Sequence, residues 1–142
     1  MLQLSVFILT CLAFTAAVQA TETLVSEEPR AGCCRPDGVD IAQLHKSADL
    51  FYAQFKPKEA AHELLKILHA DAGNFPALVK LARAQIDIGD LIPESSADWK
   101  ERKFKEYSAA QDYARKAVRI KPNSTWSHFW VAAAVGKIAM VS

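Results

Sequence analysis

Apolar residues recur at steps of three and four along most of this chain, which is the spacing of one face of an α-helix. The clearest case lies in residues 106–139, where two such segments flank the polar stretch 121–124. Pro122 ends the first segment, because proline lacks a backbone N–H and clashes with the preceding turn. The pattern therefore predicts a helical hairpin. The apolar face of its first helix consists of Tyr107, Ala110, Ala114, Ala117 and Val118.

The same pattern predicts about five helices, over residues 40–54, 57–70, 76–88, 97–120 and 124–140. Asp40 is well placed to cap the first helix, and Pro57 fits the first turn of the second. Ser95 and Asp98 are spaced for a capping arrangement at the start of the fourth, and Ser124 or Thr125 can cap the fifth. With no strand pattern between them, these segments predict an all-α domain of stacked antiparallel hairpins.

The helices form a repeat. Leu44, Leu78 and His128 hold equivalent positions, at spacings of 34 and 50 residues. The shorter spacing is the period of the tetratricopeptide repeat (TPR), and the longer one implies an insertion at about residues 89–104. The domain organisation expected is thus a TPR-like repeat domain over residues 41–142.

This chain resembles the TPR superfamily at Ala60, Ala110, Ala117 and Pro122, which match the small and proline positions of the repeat's second helix. The segments LVKLARAQIDIGD and ARKAVRIKPNSTWSHFWVAAAVGKIA also look like the regulator of microtubule dynamics family. That resemblance covers residues 42–139. It implies a short helical solenoid that binds partners.

Residues 1–20 are apolar, carry no charged side chain and end in Val-Gln-Ala, which fits a signal-peptidase site. We expect cleavage after Ala20 and a secreted or periplasmic mature chain. The alternative is an uncleaved membrane anchor formed by residues 2–18, as in eukaryotic members of the resembled family. Residues 21–40 read as a flexible tether. Cys33 and Cys34 within it are incidental thiols, an intermolecular disulfide pair, or a redox or metal-binding pair.

Composition narrows the functional classes. The net charge of +1 gives no reason to expect nucleic acid or an anionic membrane surface as a partner. No nucleophile, phosphate-loop or metal-protease motif is present, so we expect neither an enzyme nor a cofactor. His62 and His69 lie on one helical stripe, but Lys66 between them opposes a metal ion.

The first helix of each hairpin lines the concave side of such a solenoid. The positions that face this side in the resembled superfamily are His45, Asp49, Tyr52, Val79, Arg83, Asp87, Trp126, Phe129 and Lys137. Arg83 is the strongest candidate, because a guanidinium can hold a carboxylate or backbone carbonyls. Alternatively, Arg83 pairs with Asp49 or Asp87.

Two functions follow from these patterns. The first is a non-enzymatic module that binds a protein or peptide partner through its concave face. The second is a self-associating structural subunit, because residues 124–140 are apolar nearly all round and suit a covered helix. A homo-oligomer is expected in the second case.

Overall fold

A computed structural model describes residues 38–142, and within this range it contains α-helices and no β-strand. This confirms the all-α prediction with five helices. They are α1 (Ile41–Ala53), α2 (Pro57–Ala70), α3 (Phe75–Asp90), α4 (Trp99–Ile120) and α5 (Thr125–Val141). The predicted signal peptide or anchor, nearly all of the tether, and Cys33–Cys34 lie outside the described residues.

Local side chains determine where the early helices begin. The Asp40 carboxylate accepts a hydrogen bond from the backbone N–H of Gln43 at 3.0 Å, as predicted. Asn74 does the same for the N–H of Ala77 at 3.1 Å at the start of α3. Pro57 occupies the first turn of α2, where no backbone donor is needed.

Each helix packs against the next one along the chain, and α3 also contacts α5. The result is a helical solenoid in which α1, α3 and α5 are the inner helices and α2 and α4 the outer ones. One core cluster joins α1, α2 and α3, and a second joins α3, α4 and α5. Small alanines at the contacts let the helices approach closely; the fully buried ones include Ala60, Ala77, Ala84, Ala110, Ala114, Ala117 and Ala134.

Helix α3 ends where the pattern placed it. The expected helix ran from about Pro76 to Ile88 and ended at Gly89-Asp90, and the observed helix runs from Phe75 to Asp90. Packing requires the glycine in its last turn: a Cβ at Gly89 would lie 2.9 Å from Cδ1 of the buried Tyr107 ring on α4, so only glycine admits this contact.

Helix α4 begins at Trp99, two residues later than predicted, and the expected capping by Ser95 and Asp98 is wrong. Asp98 precedes the helix but makes no side-chain capping bond. The segment before it forms two successive turns, in which Ser96 donates its hydroxyl to the carbonyl of Pro93 at 3.2 Å. The chain therefore enters the helix through turn geometry rather than a capping box.

Helix α5 keeps one apolar face exposed. Ser124 precedes it without a side-chain capping bond; its carbonyl instead accepts from the buried Ser127 hydroxyl at 2.9 Å. Trp126, Phe129 and Met140 are all more than half exposed. Within residues 38–142, none of the helices is both long enough and apolar enough to span a bilayer.

Gly89 and Gly136, which lie inside α3 and α5, provide a matched test of packing. Gly89→Ala should lower the free energy of unfolding by about 1–3 kcal/mol, because the added methyl group collides with Tyr107. Gly136→Ala should raise it by about 0.5–1 kcal/mol, because nothing lies within 4 Å and alanine favours the helix. Urea denaturation followed by circular dichroism measures both. Equal effects of the same sign would contradict the packing argument.

Candidate functional site

The inner helices α1 and α3 run in the same direction, side by side. Three side-chain contacts connect them, and the residue numbers rise together on both helices. The pairs are His45 with Asn74, Asp49 with Lys80, and Tyr52 with Arg83. This parallel arrangement creates a shallow surface between two helices that are not neighbours in sequence.

Two adjoining cavities of about 420 and 390 Å³ open on this surface. They share Tyr52, Phe55 and Arg83 in their linings. Volumes of about 300–1,000 Å³ are usual for ligand sites in proteins. We call this surface the groove and define it by Asp49, Tyr52, Phe55, Lys80, Arg83, Asp87, Asp90 and Leu91.

Arg83 lies at the centre of the groove. Its guanidinium carbon is 4.2 Å from the centroid of the Tyr52 ring, a distance at which a cation and an aromatic face attract. Its Nε is 3.9 Å from Oδ2 of Asp87, which is too long for a hydrogen bond. The guanidinium is therefore held in place by a ring while its N–H donors make no close bond to Asp87. The predicted alternative that Arg83 pairs with Asp87 is therefore found as a long ion pair, whereas its pairing with Asp49 is wrong.

Asp49 pairs with Lys80 instead. The Lys80 ammonium donates to both carboxylate oxygens at 2.6 and 2.8 Å. Both side chains are exposed, so this pair contributes about 0–1 kcal/mol to stability. Its larger effect is to neutralise the middle of the groove. Lys80 was missed from sequence because its partner is on another helix, although it lies one turn before Arg83.

At the far end of the groove, the Asp90 carboxylate joins three helices. It accepts a hydrogen bond from the Tyr107 hydroxyl of α4 at 2.7 Å. It also accepts from the Lys137 ammonium of α5, with both oxygens at 2.7 Å. Burial and the neighbouring Asp90 raise the pKa of Tyr107 well above its usual range. Lys137, predicted as a partner-binding residue, is therefore occupied by an ion pair.

Asp87 differs from the other two groove carboxylates. Asp49 and Asp90 have ammonium groups within 2.8 Å, whereas the nearest cation to Asp87 is Arg83 at 3.9 Å. Burial and, second, the negative charge of Asp90 raise the pKa of Asp87, while Lys137 acts in the opposite direction. Asp87 is thus the carboxylate in the groove whose charge is least compensated.

The remaining predicted residues do not line the two cavities. Half-buried His45 contacts the amide oxygen of Asn74 at 3.2 Å, and burial followed by the charge of Lys80 lowers the pKa of His45. Trp126 and Phe129 lie on α5 as an edge-to-face pair with ring centroids 6.1 Å apart. Val79 also lies outside both linings.

Sequence reasoning missed the apolar side chains of the groove. Phe55 and Leu91 follow the ends of α1 and α3, and they are 92% and 63% exposed. Both occupy turn positions, which repeat alignment does not assign to a binding surface. The available signal was their chemistry, since a large apolar residue in a polar turn is unusual.

The groove combines exposed apolar groups, one fixed guanidinium and one poorly compensated carboxylate. These groups can hold a peptide through hydrogen bonds and apolar contact. Among residues 38–142, no three His, Cys, Asp or Glu side chains converge in a way that could hold a metal ion.

Fold and site together define a helical-solenoid protein with a groove between its inner helices. The family model described as Regulator of microtubule dynamics protein 1-3 matches residues 44–142. The chain belongs to this family. No individual curated protein matches the chain.

Tyr107→Phe tests the hydrogen bonds by which the Asp90 carboxylate joins α3, α4 and α5. The change removes a hydrogen bond from a buried hydroxyl to a carboxylate, so the free energy of unfolding should fall by about 1–3 kcal/mol. Tyr113→Phe on the same helix is the matched control. Its hydroxyl makes no hydrogen bond to the described residues, and the change should cost less than about 0.5 kcal/mol. Equal losses in urea denaturation would contradict the assignment.

The Asp87 titration tests the charge balance. The pKa of Asp87 is higher in the folded protein than in the unfolded chain, so the folded state holds the proton more tightly. The contribution of Asp87 to stability therefore declines as the pH rises from the unfolded pKa through the folded pKa. Asp90→Asn should lower the pKa of Asp87 by removing a like charge, and Lys137→Met should raise it. Carboxyl ¹³C shifts measured against pH report both changes. A pKa that responds to neither substitution would contradict this account.

Proposed function

We propose that this protein acts by binding a protein or peptide in the groove, without catalysing a reaction. The observation that carries the proposal is the state of Arg83. Its guanidinium lies against the Tyr52 ring and stays beyond hydrogen-bond distance of Asp87. An arginine oriented in this way loses little side-chain entropy on binding, and it can donate to backbone carbonyls or to a carboxylate.

Asp87, beside Arg83, supports a ligand with a peptide backbone. Its nearest cation is 3.9 Å away, so the carboxylate can accept a backbone N–H or pair with a cationic side chain.

Family membership supports a protein partner as well. The family description concerns the regulation of microtubule dynamics, and regulators of a polymer act through protein contacts. Tubulin is therefore the first partner to test. We further infer that the solenoid is of the TPR type, on the strength of the 34-residue spacing between Leu44 and Leu78.

Location separates two versions of this function. The sequence of residues 1–20 supports export with cleavage after Ala20, which would lead to an extracellular or periplasmic partner. If residues 2–18 instead remain as an anchor, the helical domain can face the cytosol and meet tubulin. Both versions use the same groove.

Self-association is the second candidate function, and helix α5 favours it. Trp126, Phe129 and Met140 leave a large apolar area exposed on that helix. Gly136 has open space around its Cα and no internal contact that would require glycine. A second helix could approach closely at this point.

Photocrosslinking distinguishes the two candidates. A benzoylphenylalanine placed at Leu91 should capture the partner in cells, whereas the same group at Phe104, an exposed position on α4 outside the groove lining, should not. Arg83→Ala should reduce capture at Leu91 about tenfold, equivalent to about 1.4 kcal/mol of binding free energy.

Arg115→Ala, which removes an exposed arginine from α4, is the matched control and should leave capture unchanged. Equal capture at both positions, or no effect of Arg83→Ala, would reject the groove. If only further copies of this chain are captured, and Phe129→Ala abolishes that capture, self-association is the function.

A further inference from the structure

Phe55 has a backbone conformation that is rare for its residue type. It follows α1 with φ of +58°, in the left-handed region. The backbone N–H of Lys56 donates to the carbonyl of Phe51, and that of Phe55 donates to the carbonyl of Tyr52, each at 3.0 Å. This pair of bonds is the Schellman motif, which ends many helices and usually has glycine at this position.

The two hydrogen bonds satisfy carbonyls at the helix end, but glycine would make the same bonds without the strain. The Cβ of any L-residue is crowded in the left-handed region, so phenylalanine is less stable here than glycine would be. The Phe55 side chain is 92% exposed and gains almost no burial in return. A strained residue with an unburied aromatic ring is a reason to look for a function.

The ring is placed where a ligand would contact it. Phe55 follows the end of α1, and Leu91 follows the end of the parallel helix α3. Both line the cavity of about 420 Å³, together with Tyr52 and Pro57. The end of the groove nearest the helix C-termini is therefore flanked by two exposed apolar side chains.

Two carboxylates lie at this end of the groove: Asp90 is bonded to Lys137, and Asp87 has only the more distant Arg83. Helix C-termini carry partial negative charge, and a basic residue in the last turn commonly offsets it. The outer helices α2 and α4 have such residues, His69 and Arg119, but α1, α3 and α5 have none. Asp87 adds a full negative charge in the last turn of α3, and its closest cation is 3.9 Å away.

We propose that this end of the groove binds a basic side chain, arginine or lysine, that lies next to an apolar residue in a peptide partner. The cationic head pairs with Asp87, and the apolar neighbour packs between Phe55 and Leu91. Phe55 is held outward by the helix end so that its ring is already in position when the peptide arrives. This inference rests on the proposed function of the groove and specifies the chemistry of its ligand.

The probes are three fluorescein-labelled nonapeptides of serine and alanine that differ at two central positions. These positions hold Leu-Arg, Leu-Glu or Ser-Arg, and binding to the full chain is followed by fluorescence anisotropy. Leu-Arg should bind at least about tenfold more tightly than either of the others, because it alone satisfies both features. Asp87→Asn should remove the preference for Leu-Arg over Leu-Glu.

Phe55→Gly separates binding from folding. Glycine suits a positive φ, so the melting temperature should rise while the affinity for Leu-Arg falls about tenfold or more. Phe55→Asn, a second residue that tolerates this conformation, should also lose affinity without unfolding. Phe104→Ala, which truncates a phenylalanine outside the groove, is the control for affinity and should leave the binding of Leu-Arg unchanged.

Three results of the peptide-binding experiments would overturn the inference. These are no Leu-Arg binding at about 1 mM, equal binding of Leu-Arg and Leu-Glu, or a Phe55→Gly variant with unchanged affinity. If one of these results is obtained and Arg83-dependent crosslinking at Leu91 is still seen, the groove binds a partner, and only the proposed basic and apolar ligand is rejected. Loss of that crosslinking in the unmodified chain rejects both. A groove blocked by a second copy, seen by sedimentation, also overturns the peptide proposal.

Discussion

The contact between Gly89 and Tyr107 is the constraint on which the second half of the domain depends. Because Gly89 has no side chain, the Tyr107 ring packs directly against α3, and its hydroxyl reaches the Asp90 carboxylate at 2.7 Å. The same carboxylate holds Lys137 of α5. Gly89 and Asp90 on α3 thus contact both later helices at the far end of the groove, beside the core cluster that joins the same three helices.

The ion pairs between helices determine which charged groups of the groove remain available for binding. Lys137 is committed to Asp90, and Lys80 is committed to Asp49. Arg83 lies against the Tyr52 ring and 3.9 Å from Asp87, so these two charged groups make no hydrogen bond to each other. The polar groups of the groove are therefore of two kinds: ion pairs that link helices and groups that remain free to bind a ligand.

Several features of the site were visible in the sequence. Asp49, Tyr52, Arg83 and Asp87 were identified from their repeat positions, and all four lie in the groove. Those positions specify which way a helical side chain faces. They do not specify its partner, because that depends on how far one helix is displaced along another. The pairing of Asp49 with a lysine therefore had to be seen in three dimensions.

The sequence by itself determined the number of helices, most of their limits and the identity of the inner ones, because apolar period, proline and Asx capping act within a few residues. Only the tertiary structure decided that Tyr107 packs against Gly89, that His45 contacts Asn74 outside the groove cavities, and that Phe55 takes a left-handed conformation at their edge. The first two features depend on how the helices pack, and the third depends on how α1 ends. The spacing of apolar residues along the chain does not report helix packing or the backbone conformation at a helix end.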